Sequence, residues 1–555
     1  MIPQQAQIIV LNPSAKRESG RKAQLANIHA AKAIADVVRT TLGPRSMLKM
    51  LLDPVGGIVL TNDGNAILRE IEVSHPAAKS MIEISRAQDE EVGDGTKSVV
   101  ILAGEFLESA QMFIEKDIHP TIIVSAYFRA LEKALKVVDE IATDIKVDDD
   151  KEVEKIVKSS VATKFISEWG DLVCKMAIEA VRKVTINKND RLEIDTKRYA
   201  KVEKIPGGTI EDCVVLDGVM INKDLTHPQM RRRIENPRVI LLDCPLEYKK
   251  GESMTNMELT KEDDFKKALM IEEEEVKKTC EAILALNPDV VITEKGVSDL
   301  AQHFFLKKNV SVIRRLRKTD NNRIARVTGA TIANRSEELQ ESDVGTNCGL
   351  FEVKKIGDEY FCYFVNCKDP KACSIVLRGA TKDVLNEVER NLHDAMSVAR
   401  NIMLNPKLVP GGGALEMEIA SQLNDYATKE IKGTEQWPFK ALASAFEVIP
   451  RTLAQNSGAD VVRRLTELRE KHAGGKGINM GIDGNTGKIA DMKESSIWDP
   501  AAVKKQAIKA AIEVSCMLLR IDDIVSGIKK EKRGGGQSQM AQNPDEETFG
   551  DTRDG

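Results

Sequence analysis

A multidomain protein that joins helical and α/β parts is the fold class the sequence predicts, on three observations. Both ends of the 555-residue chain read as amphipathic helices broken by glycine loops. The middle alternates short apolar runs with helical ones, the texture of a small α/β unit. The length exceeds what a single core holds, so two to four domains are expected. The simplest account of helical, α/β, helical is a nested chain: a helical body built from both ends, with the middle inserted into it.

Composition narrows the function classes. An apolar fraction of 42% and a charged fraction of 30% are those of a soluble globular chain. A net charge of −5 argues against a general nucleic-acid binder. The nine cysteines include no CxxC pair and are odd in number, which fits a reducing compartment with thiols used as small apolar residues. Cys367 and Cys373 are close enough in sequence to bridge, and plain packing is the favoured alternative. No apolar run approaches the ~20 residues that span a bilayer, and no signal-peptide core opens the chain. A cytosolic location is expected, with neither nucleic acid nor membrane as partner.

Each element has its own justification. Ile8 to Leu11 reads as a short strand. Leu25, Ile28, Ala31, Ile34, Val37 and Val38 form the apolar stripe of a helix stopped at Gly43-Pro44. Gly57 to Thr61 reads as a strand and Asn62-Asp63-Gly64-Asn65 as the turn after it. Pro76 opens a helix at its first position. That helix runs into VGDGTKSVVILAG, residues 92–104, around which the rest is organised. Gly93-Asp94-Gly95-Thr96 has the marks of a helix start, and Val99, Val100, Ala103, Phe106, Leu107, Ala110, Phe113 and Ile114 follow at helical spacing. A further helix follows Pro120 and ends in the acidic link at 148–150.

From 151 to 183 the chain reads as helical. Strands are predicted at 213–221, 238–243, 289–293 and 310–313, helices near 297–307 and 320–328, and a hairpin over 351–366 turning at Gly357-Asp358. Within this part, 246–282 reads either as a protruding, partly amphipathic arm or as an ordinary solvated helix pair. A strand at 374–377 and a helix over 381–403 come next, with His393 and Asp394 beside its apolar face. Pro410-Gly411-Gly412-Gly413 then enters a helix, 474–487 reads as a hairpin loop, and Asp499-Pro500 starts a last helix reaching Ile521. Residues 530–555 lack apolar periodicity and read as a disordered tail.

A helix start with unpaired N–H groups and a positive dipole end suits a phosphate. Asp94 has the wrong charge for one unless a divalent cation lies between them; the alternative for Gly-Asp-Gly-Thr taken alone is a helix cap. No GxxxxGK[ST] is present, which excludes an ordinary P-loop. Three glycine loops abut helices, at Gly43, Gly93/Gly95 and Gly411–Gly413, and three isolated aspartates, Asp63, Asp94 and Asp394, lie at or near such places. Phosphoryl transfer needs these parts: a carboxylate-held metal, amide donors and a carboxylate on the attacking water. Spacing does not show that they converge.

The motifs LGP (42–44), TNDG (61–64), QDEEVGDGT (88–96), ITEKGVSDLAQH (292–303), VPGGGA (409–414) and RIDDIV (520–525) resemble the group II chaperonins over residues 1–530. EYKKGES (247–253) and RKTDNNRIAR (317–326) are similar to one subunit type of the eukaryotic cytosolic branch. The resemblance implies a chaperonin fold with a helical equatorial domain (1–147 and 405–529), a small intermediate domain (148–216 and 369–404) and an inserted α/β apical domain (217–368). The last would bear a lid protrusion at about 246–282, with the tail at 530–555 beyond the fold. It implies ATP/ADP and Mg2+ as cofactors, paralogous subunits as partners in a double-ring hetero-oligomer, and non-native protein clients such as actin and tubulin, enclosed by ATP-driven lid closure. Asp94 would ligate the metal, and Asp63 and Asp394 would orient and deprotonate the water. Gly43, Gly95, Thr96, Lys97, Ser98 and Gly412 would hold phosphate or nucleotide backbone; Gly484 and Asp499, with Lys504 nearby, would meet base and ribose; and Lys164 would sense the γ-phosphate. Clients would meet the region around 298–326.

One position departs from that pattern: Lys97 stands where the family usually has threonine. Three readings follow: a point charge on phosphate, an obstacle to the metal shell, or a side chain directed to solvent. An ATP-hydrolysing folding subunit is the leading hypothesis, with a hydrolytically weak ring member acting in assembly and client binding as its rival. A homo-oligomeric chaperonin of archaeal type is a third possibility.

Overall fold

A computed structural model describes residues 16–526 apart from 53–55, 57, 148–149, 165–168, 190, 249–261 and 476. The expected strand at Ile8 to Leu11, the tail at 530–555 and residues 249–261 of the expected arm lie outside the described residues.

Three large hydrophobic cores organise the chain. The first is built from both ends of the sequence. Helices Arg21–Arg39, Pro76–Glu91, Thr96–Glu115 and Pro120–Ile141 share it with Ala414–Glu430, Gln436–Ala445, Val448–Asn456 and Ala501–Leu519. Thr96–Glu115 is buried on nearly every side because its apolar residues exceed one stripe. Phe106 meets Phe446 edge-on at 5.0 Å between ring centroids, joining the early and late segments. Gly104 permits the tight crossing with Arg21–Arg39: a Cβ there would lie 2.5 Å from that of Ala35. The two described ends meet as well, with Lys16–Ser19 pairing antiparallel with Asp523–Ser526.

The second core holds a four-stranded parallel sheet in the order Ser311–Ile313, Val290–Thr293, Val239–Leu242, Ile332–Ala333. Its inner strands are buried at every position, as parallel strands covered on both faces must be. An antiparallel sheet, Arg233–Glu235, Leu350–Ile356, Glu359–Val365 and Val219–Ile221, packs into the same core. On its surface Arg314, Arg315, Arg317 and Lys318 are exposed, while Phe305 is buried.

The third core joins helices Asp150–Val161, Gly170–Val184 and Lys382–Leu404 to a sheet of Ala200–Pro206, Cys373–Gly379 and Val214–Val215. Here the chain passes twice, before and after the second core.

Several local expectations need correction. The strand expected at 213–221 is two strands in different sheets, parted at Asp217-Gly218. Gly218 makes the step possible, since a Cβ there would sit 1.8 Å from the Phe364 carbonyl oxygen. Residues 62–65, read as a turn after the strand, are a helix start: Asp63 caps Gly64–Glu70. The helical stretch 151–183 is interrupted between Val161 and Gly170, and Lys164 sits in the break. Gly43 lies beyond the end of Arg21–Arg39 instead of capping it. The late hairpin pairs Met480–Ile482 with Ile489–Asp491, several residues further on than expected. The described part of 246–282 falls mainly in helix Glu262–Leu284, with Phe265, Met270 and Ile271 exposed. All nine cysteines are free thiols. The neighbour of Cys367 is Cys348, whose side chain shares a hydrogen bond with it.

Candidate functional site

Where the first core meets the third there is a cavity of about 590 Å³. Its floor comes from segments far apart in sequence: Gly43, Asp63, Asp94 to Ser98, Gly412, Gly484, Asp499 and Lys504. Its roof is Lys155, Lys158, Ser159, Thr163 and Lys164, with Asp394 from helix Lys382–Leu404. Every site residue singled out from the sequence lines this one space.

Two helices begin at the floor, Thr96–Glu115 and Ala414–Glu430, each preceded by a left-handed glycine, Gly95 or Gly413, and neither capped by a side chain. The first-turn amides of such starts lack intrahelical acceptors and favour an anion. Gly95 has φ +77°, where any side chain would be strained. Gly412 is a matter of space: a Cβ would lie 2.4 Å from Met492 Sδ and 2.9 Å from the Ile482 carbonyl oxygen.

The floor aspartates are fixed by backbone. Asp63 accepts from the Ala66 N–H at 3.0 Å, and Asp94 from the Gly95 N–H at 2.7 Å. Gln88, buried beneath the loop, donates to the Asp94 carbonyl oxygen at 2.9 Å and the Val503 carbonyl oxygen at 3.3 Å. Lys504 spans Glu416 at 2.7 Å and Asp499 at 3.1 Å. Burial alone would lower its pKa, but these two carboxylates outweigh burial and raise it.

The roof depends on one pair. The Lys164 ammonium donates to Asp394 Oδ2. Burial lifts the Asp394 carboxyl to about 8 despite that cation, and Asp63 pushes in the same direction. Burial works against charge on Lys164, but Asp394, Asp94 and Asp63 together raise its pKa, so it stays a cation. The Asn62 side chain donates to the Thr163 carbonyl oxygen at 3.3 Å, and that of Asn401 to the Val92 carbonyl oxygen at 2.7 Å, tying roof to floor.

Lys97 does not turn to solvent. Its stem lies against Gly64, and its Nζ donates to the Thr41 carbonyl oxygen at 2.9 Å. Burial and then Lys164 lower its pKa, against the pull of Asp63, Asp94 and Asp394. Two further residues escaped sequence reasoning. Asp89 lines the cavity, bonded to the Asn65 amide at 2.8 Å, its pKa raised by burial and then by Asp63. Gln88 carries the loop. Both lie in the acidic run 88–91, where only helical phase relative to Ser85 and Ile84 marks them as inward.

Among the described residues no three acidic, histidine or cysteine side chains converge as a ready metal cluster. The donors are isolated carboxylates, which suits Mg2+ completed by phosphate oxygens and water, and does not suit a dedicated protein cage.

The profile of the TCP-1/cpn60 chaperonin family matches residues 34–529. The chain belongs to the TCP-1/cpn60 chaperonin family. Within it, the sequence is similar to proteins named T-complex protein 1 subunit gamma. That of Oxytricha granulifera is 70% identical over 556 residues, covering 99% of each chain. That of Schizosaccharomyces pombe is 59% identical, covering 95% of this chain and 99% of the relative. The human protein is 59% identical, covering 97% and 98%. The subunit type suggested by 247–253 and 317–326 is therefore the one these relatives carry. Among the described residues, no helix of this chaperonin-family chain is long and apolar enough to cross a membrane.

Proposed function

We propose that the chain is a subunit of an ATP-hydrolysing chaperonin, assembled with paralogous subunits, that folds non-native proteins in the cytosol. The observation that carries this reading is convergence. Two uncapped helix starts, three aspartates and Lys164, drawn from positions 63 to 413, face one cavity of nucleotide size. The helix starts at Gly95 and Gly413 and the crowded Gly412 hold the phosphates, with Asp499, braced by Lys504, toward the ribose. Asp94 would hold Mg2+, which supplies charge neutralisation at the phosphate oxygens. Asp63 and Asp394 orient the attacking water, and Asp394 in its ionised form takes the proton. Because Asp394 and Lys164 belong to the roof, hydrolysis requires the roof to stand on the floor, which couples chemistry to domain movement. The exposed cations Arg314, Arg315, Arg317 and Lys318 favour client recognition through polar contacts. The test is ATP hydrolysis by the assembled complex with Asp394→Ala in this chain alone. An unchanged rate from this site refutes the catalytic assignment.

The inward Lys97 favours a second reading, in which this subunit binds nucleotide but turns over slowly because its ammonium sits among the reacting groups. Lys97→Thr would then raise single-site hydrolysis; no rise excludes that reading.

A further inference from the structure

Acidic and basic side chains both line the cavity, Lys155 and Lys158 among the basic ones. Lys158 is paired with Asp171, and Lys504 is committed to Glu416 and Asp499. Of the inner cations, Lys164 is bonded to Asp394, whereas Lys97 is held by an uncharged partner, the Thr41 carbonyl oxygen. The Thr41 carbonyl fixes the position of the Lys97 ammonium without neutralising it. Gly64 makes room for its stem: a Cβ at 64 would lie 2.8 Å from Lys97 Cγ. A lysine in the first turn of a helix is otherwise misplaced, because the dipole end there is already positive. Both the placement and the mismatch make sense if an anion completes the site.

We infer that Lys97 is a built-in cation of the nucleotide site, anchored on Thr41 and accommodated by Gly64, which lets this subunit keep a nucleoside diphosphate when free divalent cation is withdrawn. The inference rests on the nucleotide reading proposed above. A mobile ion leaves with chelator; a tethered ammonium does not. One fixed charge beside a phosphate, in surroundings between water and protein interior, is enough to change retention about tenfold.

The experiment is photolabelling of the assembled complex with 8-azido-ADP, with labelled peptides of this chain quantified by mass spectrometry in magnesium and in EDTA. The readout is the ratio of the two. Wild type is expected to keep a substantial fraction of its label in EDTA. In Lys97→Thr and Lys97→Met the ratio falls about tenfold, and in Lys97→Arg, which keeps the charge, it stays near wild type. Lys97→Met preserves the length of the stem, so it decides the matter by itself if the threonine variant fails to assemble. Equal ratios in wild type and Lys97→Met overturn the inference, as does loss of all label in wild type under EDTA. Absence of label in magnesium as well sinks the nucleotide reading, and this inference with it.

Discussion

The floor and the roof of the cavity hold their acids in different ways. Asp63 and Asp94 each accept from a backbone N–H at their own helix starts, that of Ala66 or Gly95, so their positions are set by the first core. Asp394 is held by another side chain, Lys164, which lies in a break between two helices of the third core. Groups fixed by backbone bind in any state of the molecule, whereas a buried pair acts only when its element is docked. Under the proposed function, the floor serves binding and the roof timing.

That contrast can be broken at several points. The largest effect is expected from Asp394→Ala, which should lower hydrolysis at this site ~10²–10⁴-fold while leaving nucleotide retention largely to the floor, read as kcat against Kd. Gly412→Ala attacks the floor instead. The side chain has no room beside Met492 and the backbone is left-handed, so nucleotide affinity should drop on the order of tenfold, measured by titration. A pH profile sharpens the comparison further. Because burial holds the Asp394 proton up to about 8, kcat/KM should rise as pH increases through that value, whereas binding should change little. Lys164→Met should carry that rise to still higher pH, since the cation that favours the carboxylate is gone. The same shift has a stability consequence. Folded Asp394 keeps a proton that the unfolded chain releases, so its contribution is full below the ordinary carboxylate range and fades as pH climbs to about 8. The smallest effect is expected at the terminal strands, where Arg17→Ala removes an exposed pair with Asp523 and should leave the midpoint of denaturant titration almost unmoved.

The sequence made the helices of the first core legible because their apolar residues recur at helical spacing and proline or glycine marks their ends. The buried strands Val239–Leu242 and Val290–Thr293 were equally plain as short apolar runs. What escaped was set by tertiary contact. Lys16–Ser19, a polar tetrad, becomes a strand only because Asp523–Ser526 lies beside it. The run 213–221 is apolar except for Asp217-Gly218, and that pair alone does not say that Phe364 will press on Gly218 and divide the run between two sheets. At the site, the glycines and aspartates were visible as isolated loop residues, and the family resemblance joined them. Gln88 and Asp89 were hidden in an acidic run, and the inward course of Lys97 depends on Gly64 and Thr41, which lie 33 and 56 positions away.

Helix Thr96–Glu115 begins at the cavity loop and runs into the apolar interior, with Phe106 and Phe113 buried along it. Any ligand that steadies its first turn must therefore slow amide hydrogen exchange along all five turns, well away from the cavity. Conversely, a loosened interior around Gly104 would reach the ligand as a frayed helix start, so damage remote from the chemistry would register as lost occupancy.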